Sequence, residues 1–425
     1  MNSLSQPAAR DAAWQRARWS GFFVLLLPAL LMACAVNPVT GKHQISLMSE
    51  SQMESLGESS DTQIVDQYGL VNDQQLAAYV DSVGQSIIPV SHVPNESFQF
   101  RLLDDSVVNA FAVPGGYVYV TRGILAYLND QAALAGVMGH EVGHVAARHS
   151  AQQYTKQVLI GAGLSLGAAL NSTVAHYAQL GGAAAQLLML KYSRDDERQA
   201  DRLGVEYASK LHYDTHEMAD FFQTLDSLYG GSSGLANWTS THPDPGERYQ
   251  TVNTLTQEWQ SKLPGPFRVQ RNNYLSRLEG LVFGTDPRQG VVKGDEFVHP
   301  MLRFRFPVPG GWQVVNTSSQ VQMASPEGDA AVFFGAEAAQ DPVSAARDFA
   351  QKAEVTVGQT RSLSIGGWPA IQQFGTLHAS DQQQTPLSLV STFINRGDHL
   401  FIFHGLSTSS DFERFRSTFV NVAQG

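Results

Sequence analysis

The pentapeptide His140-Glu141-Val142-Gly143-His144 sets two imidazoles four residues apart. On a helix that spacing puts both on one face, where they can share one metal ion. Glu141 lies about 100° around the axis from His140, within reach of a water polarised by that ion. Two imidazoles and a third donor suit zinc, and a catalytic zinc keeps three protein ligands and one open position. One Zn2+ per chain is therefore expected. His149 is the nearest further imidazole, but a site built from three histidines of one motif needs a glycine and a histidine where this chain has Ala147 and Ser150. His149 reads instead as a polar residue near the helix end. A carboxylate from a second helix is the other solution, and the run Tyr192-Ser193-Arg194-Asp195-Asp196-Glu197-Arg198-Gln199-Ala200-Asp201 supplies it. Glu197, Ala200, Asp201, Gly204 and Ala208 fall on one face, otherwise made of small residues that let another backbone approach. A buried carboxylate there must meet a cation. Glu197 is the expected third ligand. Asp201, one turn later, is the expected acceptor for the distal nitrogen of a ligand imidazole, His140.

These groups need helices to aim them. Asp130 precedes a helical stretch over 125–150 that carries the first motif, and 193–210 reads as the second helix. Residues 61–90 show helical periodicity, 98–103 and 110–121 read as strands, and helical character ends near Lys262, before Leu263-Pro264-Gly265-Pro266. Residues 263–300 read as a linker or arm. Beyond them the pattern becomes strands at 302–308, 313–316, 330–336, 370–377, 387–395 and 400–406, with helices at 342–353 and 411–423. The expected class is α+β, a mainly helical domain with a small sheet over 61–262 and a second α+β domain over 301–425.

The amino terminus reads as an address. Arg10, Arg16 and Arg18 precede an apolar run over 21–33 that contains Pro28 and is short for a membrane span. Leu31-Met32-Ala33-Cys34 resembles a bacterial lipobox, which makes 1–33 a lipoprotein signal peptide, Cys34 the lipidated residue and 34–60 a polar, Ser-rich tether. Ala35 after the cysteine resembles the sorting signal that leaves Gram-negative lipoproteins in the outer membrane, facing the periplasm. Cys34 is the one cysteine of the chain, so an intramolecular disulfide and a four-thiolate cluster are excluded. The net charge of −11 without any strongly basic stretch excludes a nucleic-acid partner, and 43% hydrophobic residues are enough for packed cores.

The HExxH helix followed by SRxxExxAD resembles the zinc-peptidase family of HtpX, the CAAX prenyl protease and the BepA-type periplasmic proteases, the minigluzincins. Asn109, Ala110, Phe111, Ala112 and Val113, before Pro114-Gly115-Gly116, resemble the family's edge strand beside the cleft. Asn37-Pro38-Val39-Thr40-Gly41 resembles the start of its lipoprotein members, and Thr241-His242-Pro243 the loop whose histidine can cap the zinc. The resemblance covers about residues 37–262. It departs from the membrane-embedded members in having no clear transmembrane helix, and from the BepA type in having no repeat domain. It implies a gluzincin-type fold and a zinc endopeptidase of protein quality control. Glu141 would be the base, and the strand Asn109, Ala110, Phe111, Ala112, Val113 would pair with extended, unfolded or misassembled envelope polypeptides. His242 would cap the ion, stabilise the oxyanion, or simply occupy a proline-containing loop.

Other readings are weaker. A chaperone or assembly factor that uses the same cleft without cutting is the alternative. Gly163-Leu164-Ser165-Leu166-Gly167 matches a serine-hydrolase elbow but lacks the strand that must precede it. Residues 151–190, rich in Ala, Gly and Leu, would shield the site, touch lipid or substrate, or form a core helix pair. Phe306-Pro307-Val308-Pro309-Gly310-Gly311-Trp312 faintly resembles a PsbP-like domain, and 301–425 is expected to hold a substrate or an envelope assembly partner.

Overall fold

The computed structural model describes residues 34–46, 49–164, 192–229, 242, 245–317, 319–377 and 386–425. The apolar run of 21–33, Ser165, and most of the Ala/Gly/Leu-rich segment lie outside these residues. Among the described residues no helix is long and apolar enough to cross a membrane.

The segment expected as a tether is folded. Strands β1 (Cys34–Val36) and β2 (His43–Ile45) pair antiparallel, and helix α1 runs over Glu50–Tyr68. Ser49 starts α1 through a capping box with Gln52. Ser49, Ser51, Ser55 and Ser59 are exposed, while Gly57, Ser60 and Ile64 are buried. A Cβ at Gly57 would stand 2.1 Å from the Pro114 carbonyl oxygen, so only glycine lets α1 cross this close.

Helix α2 (Gln74–Ile87) buries Leu76, Tyr79, Val80, Val83 and Ile87. Strands β3 (Gln99–Leu103), β4 (Ala110–Val113) and β5 (Tyr117–Thr121) form one sheet in the order β3-β5-β4, with β3 parallel and β4 antiparallel to β5. The stretch 110–121 is thus two strands, turned by Gly115 and Gly116, both with positive φ. After the short helix α3 (Arg122–Leu125) comes α4 (Gln131–Ala146), capped by Asp130, whose side chain accepts from Ala133 N at 2.8 Å. Nearly every residue of α4 is buried, as befits a helix surrounded by others. The single helix expected over 125–150 is broken. Arg148 takes φ +57, and a separate helix α5 runs over His149–Leu164.

Helices α6 (Arg194–Lys210), α7 (His216–Tyr229) and α8 (Pro245–Lys262) complete the layer around α4. The arm at 263–300 packs against the first domain. Helix α9 (Arg271–Arg277) buries Tyr274, whose hydroxyl donates to Leu125 O at 2.7 Å, and the buried Arg122 guanidinium holds the carbonyls of Val282 and Gly284. Strands β6 (Val291–Lys293), β7 (Glu296–His299) and β8 (Phe304–Pro307) then form a three-stranded sheet.

The remaining chain builds one antiparallel sheet of seven strands from β9 (Gln313–Asn316), β10 (Gln320–Ala324), β11 (Ala330–Ala338), β12 (Val355–Ile365), β13 (Trp368–Leu377), β14 (Leu387–Arg396) and β15 (His399–Thr408), in the order β12-β13-β14-β15-β11-β10-β9. Helix α10 (Pro342–Lys352) covers one face through Ala345, Ala346 and Phe349 against Ile371, Phe393 and Leu400. Helix α11 (Phe412–Gln424) covers the other through Phe412, Phe415 and Phe419 against Phe334, Phe374 and Phe403. Alternate residues of each strand feed the two layers, as the period of two requires.

Candidate metal centre

Two helices of small-residue surface make the site possible. A Cβ on Gly204 of α6 would meet His140 N at 2.9 Å and Gly136 O at 3.0 Å, and one on Gly139 would meet the Gly204 backbone at 3.2 Å. Backbone contact at these glycines brings the α6 carboxylates to the imidazoles of α4.

The structure groups His140, His144, Glu197 and His242, each offering one donor atom, all within 4.8 Å of one another and all buried. His140 Nε2 lies 3.0 Å from His144 Nε2, 3.4 Å from His242 Nδ1 and 3.6 Å from Glu197 Oε2. His144 Nε2 is 3.4 Å from Glu197 Oε1, and His242 Nδ1 is 3.1 Å from both Glu197 oxygens. Four donors about 2.0–2.1 Å from a tetrahedral zinc stand about 3.3 Å apart. The donor set therefore fits zinc, with His242 at the corner that a catalytic site keeps open.

Each ligand is itself held. Asp201 Oδ1 is 2.9 Å from His140 Nδ1. His144 Nδ1 is 3.0 Å from Nδ1 of His149, whose Nε2 reaches Gln199 Oε1 at 3.2 Å. With His144 Nε2 facing the cluster, its Nδ1–H donates to His149, and His149 Nε2–H donates to Gln199. Tyr192 stacks on His144 with ring centroids 4.0 Å apart, and its hydroxyl is 2.9 Å from Ser150 Oγ. His149, read from sequence as a polar residue near a helix end, opens α5 and is buried against His144. The Arg148 reversal turns it back.

Sequence reasoning missed Arg248 on α8. Its guanidinium is buried, donates Nε–H to Asp201 Oδ2 at 2.9 Å and Nη2–H to Asp201 Oδ1 at 2.6 Å, and brings Nη1 to 3.3 Å from Glu197 Oε2. The Phe222 ring lies under it, 3.9 Å away. A signal existed: two buried carboxylates on one helix face need more than one ion, and the run after His242 offers an arginine. Glu197 and Asp201, whose pKa values are lowered, face the guanidinium of Arg248, and two buried carboxylates beside one arginine favour a further cation.

The electrostatics follow. Burial holds His140 below the ordinary imidazole value and His144 well below it, which keeps both neutral and able to ligate. Burial alone would raise Glu197 and Asp201. His242 and Arg248 reverse this for Glu197, bringing it well below the usual carboxylate range, and Arg248 with His140 lowers Asp201. Burial would lower His242, yet the carboxylates of Glu197 and Glu141 outweigh it and raise its pKa. Glu141 is the exception among the acids. Burial, with Glu197 adding repulsion, pushes it up to about 8, and neither of its oxygens has a hydrogen-bond partner among the described residues. His242 Nε2 approaches one of them at 3.7 Å.

Asn109, Ala110, Phe111, Ala112 and Val113 lie outside the donor cluster. Ala110–Val113 forms β4, an edge of its sheet, packed against α4. A cavity of about 480 Å³ runs from Val113, Pro114 and Gly115 past Glu54 and Glu96 to His144. For Cys34 the structure gives the backbone pairing with Ile45.

Known proteins of similar sequence include several proteases. The β-barrel assembly-enhancing protease of Escherichia coli K12 is 29% identical over 229 residues, 52% of this chain and 47% of that protein. The mitochondrial metalloendopeptidase OMA1 of Schizosaccharomyces pombe is 26% identical over 231 residues, covering 53% of this chain and 67% of its own. Metalloprotease YcaL of Escherichia coli K12 is 33% identical over 155 residues, 36% of this chain and 60% of that protein. The chain thus spans about half the length of the assembly-enhancing proteases it matches. The solution structure of cyanobacterial PsbP from Synechocystis sp. PCC 6803 overlaps 32% of this chain and 95% of its own at 11% identity and a TM-score of 0.27. Residues 74–256 match the model of Peptidase family M48, and they contain His140, Glu141, His144, Glu197, Asp201, His242 and Arg248. This chain therefore carries a peptidase family M48 domain.

Proposed function

We propose that the chain is a zinc-dependent endopeptidase that hydrolyses peptide bonds of unfolded or misassembled envelope proteins. One observation carries the reading: a buried set of donors with the edge lengths of a zinc tetrahedron, beside a buried carboxylate that has no hydrogen-bond partner among the described residues. His140, His144 and Glu197 would hold the ion. When bound, zinc supplies a Lewis acid for the scissile carbonyl and lowers the pKa of a water toward roughly 7.

The other groups act around it. Glu141 accepts a proton at a carboxylate oxygen and passes it to the leaving amine, and its raised pKa suits that exchange near neutrality. Asp201 fixes the His140 ring, His149 fixes His144, and Arg248 offsets the charge of Glu197 and Asp201. His242 is read as a cap, since its Nδ1 meets both oxygens of Glu197 and Nε2 of His140. The edge of β4 and the cavity beside His144 would receive extended substrate, with backbone pairing giving affinity at little demand on sequence. The name of the β-barrel assembly-enhancing protease supports a role beside protein assembly, and the lipobox-like run supports acylation at Cys34 and a place on the periplasmic face of the outer membrane. The seven-stranded domain, in which the sequence suggested a PsbP-like fold, would hold a substrate or an assembly partner.

The test is hydrolysis of casein by the purified chain, with and without chelator. The reading expects cleavage that chelator abolishes and zinc restores. Casein left intact by both the wild type and His242→Ala, with zinc bound, would favour the chaperone reading.

A further inference from the structure

The Asn37-Pro38-Val39-Thr40-Gly41 turn takes no part in the chemistry above, yet it reaches the ligand helix. Asn37 is only 5% exposed. Its Oδ1 accepts from Val39 N at 2.9 Å and Thr40 N at 3.1 Å, and its backbone N donates to Lys42 O. Gly41, at φ +66, closes the turn by donating to Asn37 O at 2.8 Å. The side chain is therefore locked by its own loop, and both protons of Nδ2 remain to be used. One goes to Ala147 O at 2.9 Å, the other to Gln44 Oε1 at 3.2 Å. Gln152 Nε2 donates to the same two acceptors, at 3.0 Å and 3.1 Å.

Ala147 occupies the corner of the site. It follows the last residue of α4, where helix carbonyls lose their own partners. It stands between His144, a donor of the cluster, and His149, the partner of that donor. Between Ala147 and His149 comes Arg148, a non-glycine residue in the left-handed region, which persists only where its surroundings over-determine it. The reversal at Arg148 is what brings His149 Nδ1 to 3.0 Å from His144 Nδ1.

We infer that Asn37 is a positioning residue of the metal centre. It pins the Ala147 carbonyl, and with it the Arg148 reversal that presents His149 to His144. It touches neither the donor atoms nor Glu141, so it acts through His149. The inference rests on the proposed zinc site, and its readout is metal affinity rather than proteolysis.

The decisive variants are Asn37→Asp and His149→Ala in the full chain. Aspartate keeps the two Oδ1 acceptances that shape the turn but loses both donors. Zinc affinity is read on metal-free protein by competition with a chromophoric chelator, with the thermal midpoint as the control for folding. A partner of a metal ligand is worth 10–100-fold in affinity, and Asn37 stands one bond further out, so a loss of about tenfold is expected for Asn37→Asp. The Asn37→Asp/His149→Ala double variant is expected to bind no more weakly than His149→Ala alone. Wild-type affinity in a folded Asn37→Asp would overturn the inference, as would losses that simply add. Should Asn37→Asp fail to fold, Gln152→Ala removes the other donor to Ala147 and must weaken zinc through the same path. A Gln152→Ala/His149→Ala double variant that loses more than His149→Ala would then contradict it.

Discussion

His242 Nδ1 stands 3.1 Å from each carboxylate oxygen of Glu197, although the two residues come from a loop and a helix 45 positions apart. That contact makes an imidazole one corner of the donor cluster. Removing it separates two roles. If His242 caps the ion, His242→Ala leaves three ligands and opens the fourth position. Casein hydrolysis should then rise by roughly tenfold if the open form is about a tenth of the population. A sharp loss of turnover at unchanged zinc content would assign His242 to the oxyanion instead.

Arg248 is the buried cation of the site. In Arg248→Met, Asp201 and Glu197 keep their charges in a dry interior and lose the group that faces them. Breaking such a pair costs about 3–5 kcal/mol. Urea unfolding of the metal-free protein should show a loss of that order, with zinc recovering part of it. Asp201→Asn combined with Arg248→Met should be less damaging than the two single losses added. A fully additive pair would contradict the network.

Helix approach at Gly204 is a packing requirement with a functional reading. Gly204→Ala forces a methyl against His140 N and Gly136 O, both backbone atoms that cannot step aside. Overpacking of this kind costs about 1–3 kcal/mol. The variant should unfold earlier and bind zinc more weakly, because Glu197 moves away from the imidazoles. A stable Gly204→Ala with wild-type affinity would show that the two helices have slack.

The second domain is expected to have its own pH response. His404 of β15 is half-buried beside Phe349, with ring centroids 4.2 Å apart, and its Nδ1 lies 2.8 Å from Ser391 Oγ. Burial brings its pKa down from 6.5 to about 4. Above pH 6.5 the ring is neutral in both folded and unfolded chains, and its contribution to stability is complete. Between 6.5 and about 4 the unfolded chain takes up a proton that the folded one refuses, so stability falls as pH falls. The full loss is about 3 kcal/mol. Thermal unfolding of wild type against His404→Gln across that window should show the slope weakened in the variant, and equal slopes would refute it.

The site was legible where chemistry imposes spacing. His140 and His144 repeat at one helical turn, and Glu197 and Asp201 do the same on a face of small residues, so the sequence supports a two-helix site without a structure. Arg248 was not legible in this way, because its place depends on how α8 crosses α6, and a lone arginine on a polar helix looks solvated. His149 was misjudged because the left-handed Arg148 carries no glycine to announce it. The fold followed the same logic. Helix α11, with Phe412, Phe415 and Phe419 at helical spacing, was evident, whereas β12 exposes most of its residues and lacks the alternation that marks a strand. Helix α1 was hidden by a serine-rich surface with almost no apolar stripe, and α9 by brevity, since one buried tyrosine anchors it.

Locating the metal by anomalous diffraction at the zinc edge, on crystals of the zinc-loaded chain, bears on all of this at once. The account requires one peak among His140 Nε2, His144 Nε2 and a Glu197 oxygen, about 2.0–2.1 Å from each. A peak elsewhere, or none in folded and zinc-saturated crystals, would contradict it.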